Sequence, residues 1–211
     1  MITSFDPTFA TTSMDFRGKV NYSFLRNQVI PCDSPDIWQV ERGVVQLRSY
    51  TPEGTLTVLG WLQRGNFWGS FATRLDSIEA IALIDSSLVR YSPEVVKHSF
   101  ACQQEILQQT LQRLRQTEYL LAIAGLKRIE DRLIALLLLL KEEMGLPGAT
   151  MTRLRYRFTH QHLADTIGTT RVTVTRLFRE FQDQGWLQLD GDRHILIPND
   201  LEGDRLAFQK L

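Results

Sequence analysis

The chain has 211 residues and 43% hydrophobic content, enough for one large or two small domains with buried cores. Lysine plus arginine and aspartate plus glutamate number 24 each, so the formal net charge is +0 and any contact with a polyanion has to come from a local patch. Cys32 and Cys102 are too few for a four-thiolate zinc or iron–sulfur site, and the apolar run LIALLLLL from Leu133 to Leu140 falls far short of the ~20 residues of a membrane span.

The N-terminal MITSFDPTFATTSMDF lacks the basic and then apolar pattern of a secretion signal, which predicts a cytoplasmic chain with no membrane partner. From about Val20 to Val96 the sequence breaks into short β-rich pieces divided by turn-formers, Pro52-Glu53-Gly54 and Arg64-Gly65-Asn66 among them. This alternation predicts an all-β, antiparallel sandwich or roll.

After Pro93 neither proline nor glycine interrupts Glu94 to Ala124, and leucines stand at Leu107, Leu111, Leu114 and Leu121, with Glu118 in the same seam. Heptad spacing predicts a long helix that buries its seam partly on the β domain and partly on a second copy of itself; the alternative is a helix packed only on its own domain. Ala124-Gly125 interrupts the pattern as a hinge, and a second helix runs from Leu126 to Met144. Gly145-Leu146-Pro147-Gly148 ends it, with Gly145 as the residue after the helix.

Thr159 is placed to cap a helix from His160 to about Ile167, with Leu163, Ala164 and Ile167 on one face and Gly168 free to take the left-handed turn conformation. Thr169 or Thr170 caps the next helix. On it Val174, Leu177, Phe178 and Phe181 fall at i, i+3, i+4 and i+7 and form a buried stripe, so Arg171, Val172, Thr175, Arg176 and Arg179 face out. Two short helices joined by a glycine turn, the second with such a face, are what a helix-turn-helix needs in a major groove. Arg171 and Arg176 can each fork onto guanine, and the methyls of Val172 and Thr175 can meet thymine. Thr159, His160, Thr169, Thr170, Thr173, Arg179 and Arg193 suit phosphates, through hydroxyls, helix starts or charge. Met151 to Phe181 carries six arginines against Asp165 and Glu180, a basic patch on a neutral chain. WLQLDGDRHILI reads as a hairpin with Arg193 and His194 near its tip, a wing.

The stretch FTHQHLADTIGTTRVTVTRLFREF, together with the order of the parts, resembles the cyclic-AMP receptor protein (Crp/Fnr) superfamily of transcription regulators, closest to its branch of cyanobacterial nitrogen-control (NtcA-type) regulators. The resemblance implies an α+β fold: an N-terminal antiparallel β-roll like a cyclic-nucleotide-binding jelly roll (1–98), a dimerisation helix (99–124) bearing Leu107, Leu111, Leu114 and Leu121, and a C-terminal winged helix-turn-helix (125–211). It implies a homodimeric, sequence-specific regulator on palindromic double-stranded DNA, with RNA polymerase as a further partner and Arg171, Val172 and Arg176 at the base-contacting positions. Val172 stands where the cyclic-AMP receptor protein has glutamate, which implies half-sites of the GTA type.

For an effector, Gly69, Ser70, Phe71 and Ala72 occupy the start of the family's phosphate-binding cassette, but its Gly-Glu-Leu start and Arg-Ser pair are absent. A cyclic phosphate would lack its partner, which speaks against cyclic AMP. 2-Oxoglutarate is the candidate, with Arg113 and Glu118 on LQRLRQTEYLL matching the branch's positions and Arg74 the only arginine near the place of its roll arginine, where Ser77-Ile78-Glu79 stands. Arg113 also fits an ordinary surface or interchain ion pair. Haem and iron–sulfur sensing are disfavoured by the two cysteines and by His98 lacking a matching motif, and no metal site is expected. The alternative function is an effector-independent roll working through protein–protein contacts. No H-E-x-x-H, G-x-S-x-G or phosphate-cradling loop accompanies His98, His160, His162 and His194, so no enzyme is expected.

Overall fold

The computed structural model describes residues 11–14, 20–32 and 35–200; the N-terminal stretch read above for a leader lies outside them except for 11–14. The chain forms two compact units, Met1–Thr117 and Glu118–Leu211.

Among the described residues of the first unit, short alternating segments form nine strands: β1 (Thr11–Met14), β2 (Val20–Phe24), β3 (Val29–Ile30), β4 (Ile37–Arg42), β5 (Val45–Tyr50), β6 (Leu56–Leu62), β7 (Phe67–Gly69), β8 (Ile78–Ala82) and β9 (Ser86–Tyr91). They make two antiparallel sheets, β1-β2-β9-β4-β7 and β3-β8-β5-β6. One apolar cluster joins them: Tyr22, Trp38, Trp68 and Leu88 from the first sheet meet Ile30, Val45, Leu47, Leu62 and Ala80 from the second. The Trp38 ring is edge-on to Tyr22 at 5.2 Å and stacked on Trp68 at 6.1 Å, both favourable aromatic arrangements. This is the antiparallel roll expected from the alternation.

The uninterrupted stretch after Pro93 is two helices rather than one. Helix α1 (Pro93–Lys97) is capped by Ser92, and α2 (Phe100–Gly125) begins anew because the Ser99 hydroxyl accepts from Cys102 N at 3.3 Å. A serine whose side chain competes for helical amides starts a helix even without a proline or glycine. Within the roll unit α2 is held by polar contacts. Gln116 Oε1 accepts from Trp61 N at 2.8 Å, Gln39 Nε2 donates to Glu105 Oε1 at 3.1 Å, and Asn66 Nδ2 donates to Gln109. Gly60 makes this approach possible, since a Cβ there would stand 2.2 Å from Gln116 Oε1 and its φ of +135° already favours glycine. The leucine seam is not used within the chain: Leu107, Leu111, Leu114 and Leu121 are 53%, 49%, 53% and 74% exposed.

In the second unit, α3 (Ile129–Met144) buries Leu133, Leu136, Leu137, Leu140 and Met144. It is followed by β10 (Gly145–Pro147), β11 (Met151–Leu154), α4 (His160–Ile167), α5 (Arg171–Asp183), β12 (Gln188–Leu189) and β13 (Ile195–Pro198), the four strands ordered β10-β11-β13-β12. The wing hairpin β12–β13 is thus the edge of a larger sheet. Gly145 follows the last residue of α3 as expected, its N–H donating to Lys141 O, but its φ of −76° and ψ of 141° are extended rather than left-handed, and it also opens β10. Glycine is needed there for space, because a Cβ would lie 2.2 Å from Lys141 O and 2.4 Å from Thr152 Cγ2. Among the described residues no helix is long and apolar enough to cross a membrane.

Candidate nucleic-acid interface

Helix α4 starts at Thr159, whose side chain accepts from His162 N at 3.1 Å while His162 Nδ1 accepts from Thr159 N, a reciprocal box with histidine in the place usual for glutamate. It ends at Gly168, which is left-handed with φ 67° and ψ 50°. Thr170, not Thr169, caps α5, accepting from Thr173 N at 3.2 Å. The stripe Val174, Leu177, Phe178 and Phe181 is buried throughout, each side chain contributing about 1.5–3 kcal/mol of transfer free energy. Fixing these four inward leaves the opposite face of α5 no choice of direction.

That opposite face is an open groove lined by Arg171, Val172, Thr175, Arg176, Arg179, Glu180 and Asp183. Val172 is 78% exposed, the highest value among the described large apolar residues, and it sits between the exposed Arg171 and Arg176. Its β-branched side chain contributes little to the packing of its own unit. Arg179 is exposed, and Arg176 is paired with Glu180 one turn on.

Thr175 is half-buried. Its hydroxyl donates to Arg171 O at 2.9 Å and contacts His160 Nδ1 at 2.8 Å. With the hydroxyl hydrogen given to Arg171, His160 is the donor in the second contact, and the methyl is what Thr175 has left to offer a base. The His160 ring lies 4.5 Å from that of Phe178; burial first, and then the charge of Arg171, holds its pKa below the usual histidine range. His160 therefore joins α4 to α5 as a neutral ring. Thr170 and Thr173 hydroxyls contact each other at 2.9 Å at the start of α5, and Thr169 is half-buried beside them.

The wing is built around Asp190. Arg153 Nε on β11 donates to Asp190 Oδ2 at 2.6 Å, and the other carboxylate oxygen accepts from His194 N at 2.8 Å and Asp192 N at 2.9 Å. Arg193 is exposed at the tip with φ +62°, a costly conformation for a residue with a Cβ. The Arg153 hydrogen bond and then the two amides hold the Asp190 carboxyl below the usual carboxylate range. A depressed carboxylate stabilises the fold above its ordinary pKa, near 4, and that contribution is lost as pH falls through the depressed value. Acidification below the ordinary carboxylate range is therefore expected to open the wing before the rest of the unit. Amide exchange at Asp192 and His194 reads this; protection unchanged through the acid range would contradict the role of Asp190.

Sequence reasoning missed Arg153 as the wing anchor and Glu180 as the partner of Arg176. The first had no local signal, since 37 residues separate the pair. The second was readable as an arginine and a glutamate at i, i+4.

In the roll unit, Gly69 ends β7 and Ser70–Ala72 form a single 3-10 turn, with Ser70, Phe71, Ala72 and Arg74 exposed. Gly69 leaves no room for a side chain, as a Cβ would meet Asp36 O at 2.7 Å. Glu79 is ion-paired with Arg48 at 2.5 Å. Arg113 is half-buried on α2; burial lowers its pKa, and among the described residues no hydrogen bond or ion pair joins its guanidinium to Gly69–Arg74. Glu118 is exposed and belongs to the second unit.

Residues 131–202 match the family described as the Crp-like helix-turn-helix domain. Over 82% of its length the chain is 34% identical to 81% of the regulatory protein CysR of Synechococcus elongatus. Over 40% of its length it is 32% identical to 37% of the global nitrogen regulator of a Synechocystis species. Among solved structures, FixK2 of Bradyrhizobium japonicum superposes with a TM-score of 0.71 at 22% identity, covering 87% of this chain and 94% of that one, a likeness of fold. With a helix-turn-helix of this geometry and a relative at this identity over 82% of the chain, the chain belongs to the Crp/Fnr family of DNA-binding transcription regulators.

Proposed function

We propose that the protein acts as a homodimer on a palindromic operator, with Arg171, Val172, Thr175 and Arg176 reading base edges and Thr159, Thr169, Thr170, Thr173, Arg179 and Arg193 set against phosphates. The observation that carries the reading is the exposed valine flanked by two exposed arginines on the face opposite a fully buried stripe. An aliphatic group held in water among guanidiniums has a use against a thymine methyl, while the arginines fork onto guanine. His160 contributes through α5, by orienting Thr175, as well as through its place at a helix start.

In this reading residues 1–98 are the effector-type roll, 99–124 the dimerisation helix and 125–211 the DNA-binding domain. The recognition helices of two copies enter successive major grooves about 34 Å apart. RNA polymerase is the further partner and the cytoplasm the place of action.

The test is binding to a palindromic GTA…TAC duplex and to a scrambled one across a salt series. Wild type is expected to prefer the palindrome. Arg179→Ala is expected to weaken both duplexes alike and to flatten the salt slope by about 0.9 for each phosphate its guanidinium neutralises in either protomer. Equal affinity of wild type for both duplexes would remove the sequence-reading assignment.

The effector in this proposal is a small dicarboxylate of the 2-oxoglutarate type rather than cyclic AMP. The half-buried, desolvated Arg113 supports it, because a guanidinium out of water favours an anionic partner. Calorimetry is expected to detect 2-oxoglutarate with wild type and not with Arg113→Ala. The interior of the roll, filled by Trp38, Trp68 and the apolar side chains around them, favours the second reading, an effector-independent roll acting through protein contacts. Silence with both 2-oxoglutarate and cyclic AMP would select it, and tight cyclic-AMP binding would overturn the dicarboxylate.

A further inference from the structure

We propose that Arg132 is a positioning residue that locks the turn of the helix-turn-helix to the segment leaving the long helix. Arg132 is the fourth residue of α3 and is half-buried. Its Nε donates to Leu126 O at 2.8 Å and its Nη1 donates to Ile167 O at 3.2 Å. Leu126 directly follows α2, and Ile167 is the last residue of α4. Both acceptors are thus main-chain carbonyls at or just beyond helix C-terminal ends, the groups a helix leaves unsatisfied and partly negative.

The arrangement is unusual for arginine in that no carboxylate takes part among the described residues. Glu130, two positions away, is already paired with Arg128 at 2.8 Å. What the guanidinium supplies is span: its planar fork reaches two carbonyls that are 41 residues apart in sequence, one bond through Nε and one through Nη1. Beyond Ile167 the chain has three residues, the left-handed Gly168, then Thr169 and the cap Thr170, before Arg171 begins α5. A carbonyl held at the start of so short a turn fixes where α5 starts. A shift of the segment around Leu126 then displaces the base-reading face instead of being absorbed in the turn.

This inference rests on α5 being the DNA-reading helix, and the test separates the two. Full-length Arg132→Lys and Arg132→Gln are compared with wild type and with Arg176→Ala. Thermal unfolding, affinity for palindromic and scrambled duplexes well below the unfolding transition, and amide exchange over 126–128 and 167–170 are recorded. Lysine keeps the positive charge near the helix ends but offers a point donor in place of a fork. Arg132→Lys is therefore expected to unfold close to wild type, to bind the palindrome about tenfold more weakly with little change on the scrambled duplex, and to lose exchange protection at both segments together.

Wild-type palindrome affinity in Arg132→Lys, loss of protection at one segment only, or an equal loss on both duplexes would each overturn the clamp. If Arg132→Gln does not fold, Arg132→Lys carries the test alone. Should Arg176→Ala leave discrimination intact, the recognition-helix reading fails, while the exchange data still decide whether the two segments are tied.

Discussion

Arg176→Ala is expected to abolish most discrimination between the operator and a scrambled duplex while leaving the fold intact. The side chain is 62% exposed, so its removal costs little packing. A guanidinium forked onto guanine contributes about 1–3 kcal/mol of base discrimination, and a symmetric dimer on a palindrome loses that amount at each half-site. In the free protein the same guanidinium is held by Glu180 one turn away. An exposed ion pair of this kind contributes about 0–1 kcal/mol, less than the forked contact, so the DNA wins the arginine. The glutamate nevertheless has a measurable role. With alanine at 176 its carboxylate faces the groove unpaired and repels phosphate, so Arg176→Ala combined with Glu180→Gln is expected to recover non-specific affinity but not the preference for the palindrome. Competition binding measures both quantities, with circular dichroism as the control for folding. Undiminished preference in the single variant would sink the base-reading role of Arg176.

The second large effect concerns assembly. Leu111 and Leu114 are each about half exposed, and with Leu107 and Leu121 they form one stripe along α2 that the chain itself leaves in water. An aligned stripe differs from the scattered exposed leucines common on protein surfaces. In a two-fold interface the same patch serves both copies, so Leu111→Glu with Leu114→Glu places at least four carboxylates in one buried seam. Sedimentation is expected to show a monomer. Palindrome affinity is expected to fall by about 10²–10⁴-fold, because the second half-site is no longer bound intramolecularly. Within the chain the helix is held by Gln116 and Gln109, which lie off the stripe, so roll folding is expected to survive. A variant that remains dimeric would show that the stripe is not the dimer surface.

The readable part of this protein is the part governed by short-range periodicity. The i, i+3, i+4, i+7 set of Val174, Leu177, Phe178 and Phe181, the capping threonines and the left-handed Gly168 are local devices. A neighbour within one helical turn or one β-turn is enough to specify each of them, and the α5 face follows from the buried stripe by elimination. The alternation of the roll strands is local in the same sense.

Other features depended on chain segments brought together from far apart. Gly145 ends a helix, as its local signal says, and only the return of Thr152 against it makes it the first residue of a strand as well. The strand MTRL is too short to announce itself, and it exists because β10 and β13 flank it. Which face of α2 meets the roll was decided by Gly60 leaving space for Gln116 across 56 residues. The leucine seam, legible as a seam, is for that reason left outward. Arg132 and Arg153 carried no sequence signal, since a long side chain's partner is set by which carbonyl or carboxylate the tertiary fold delivers within reach. Local pattern therefore specified the reading head. Long-range packing alone decided how it is held.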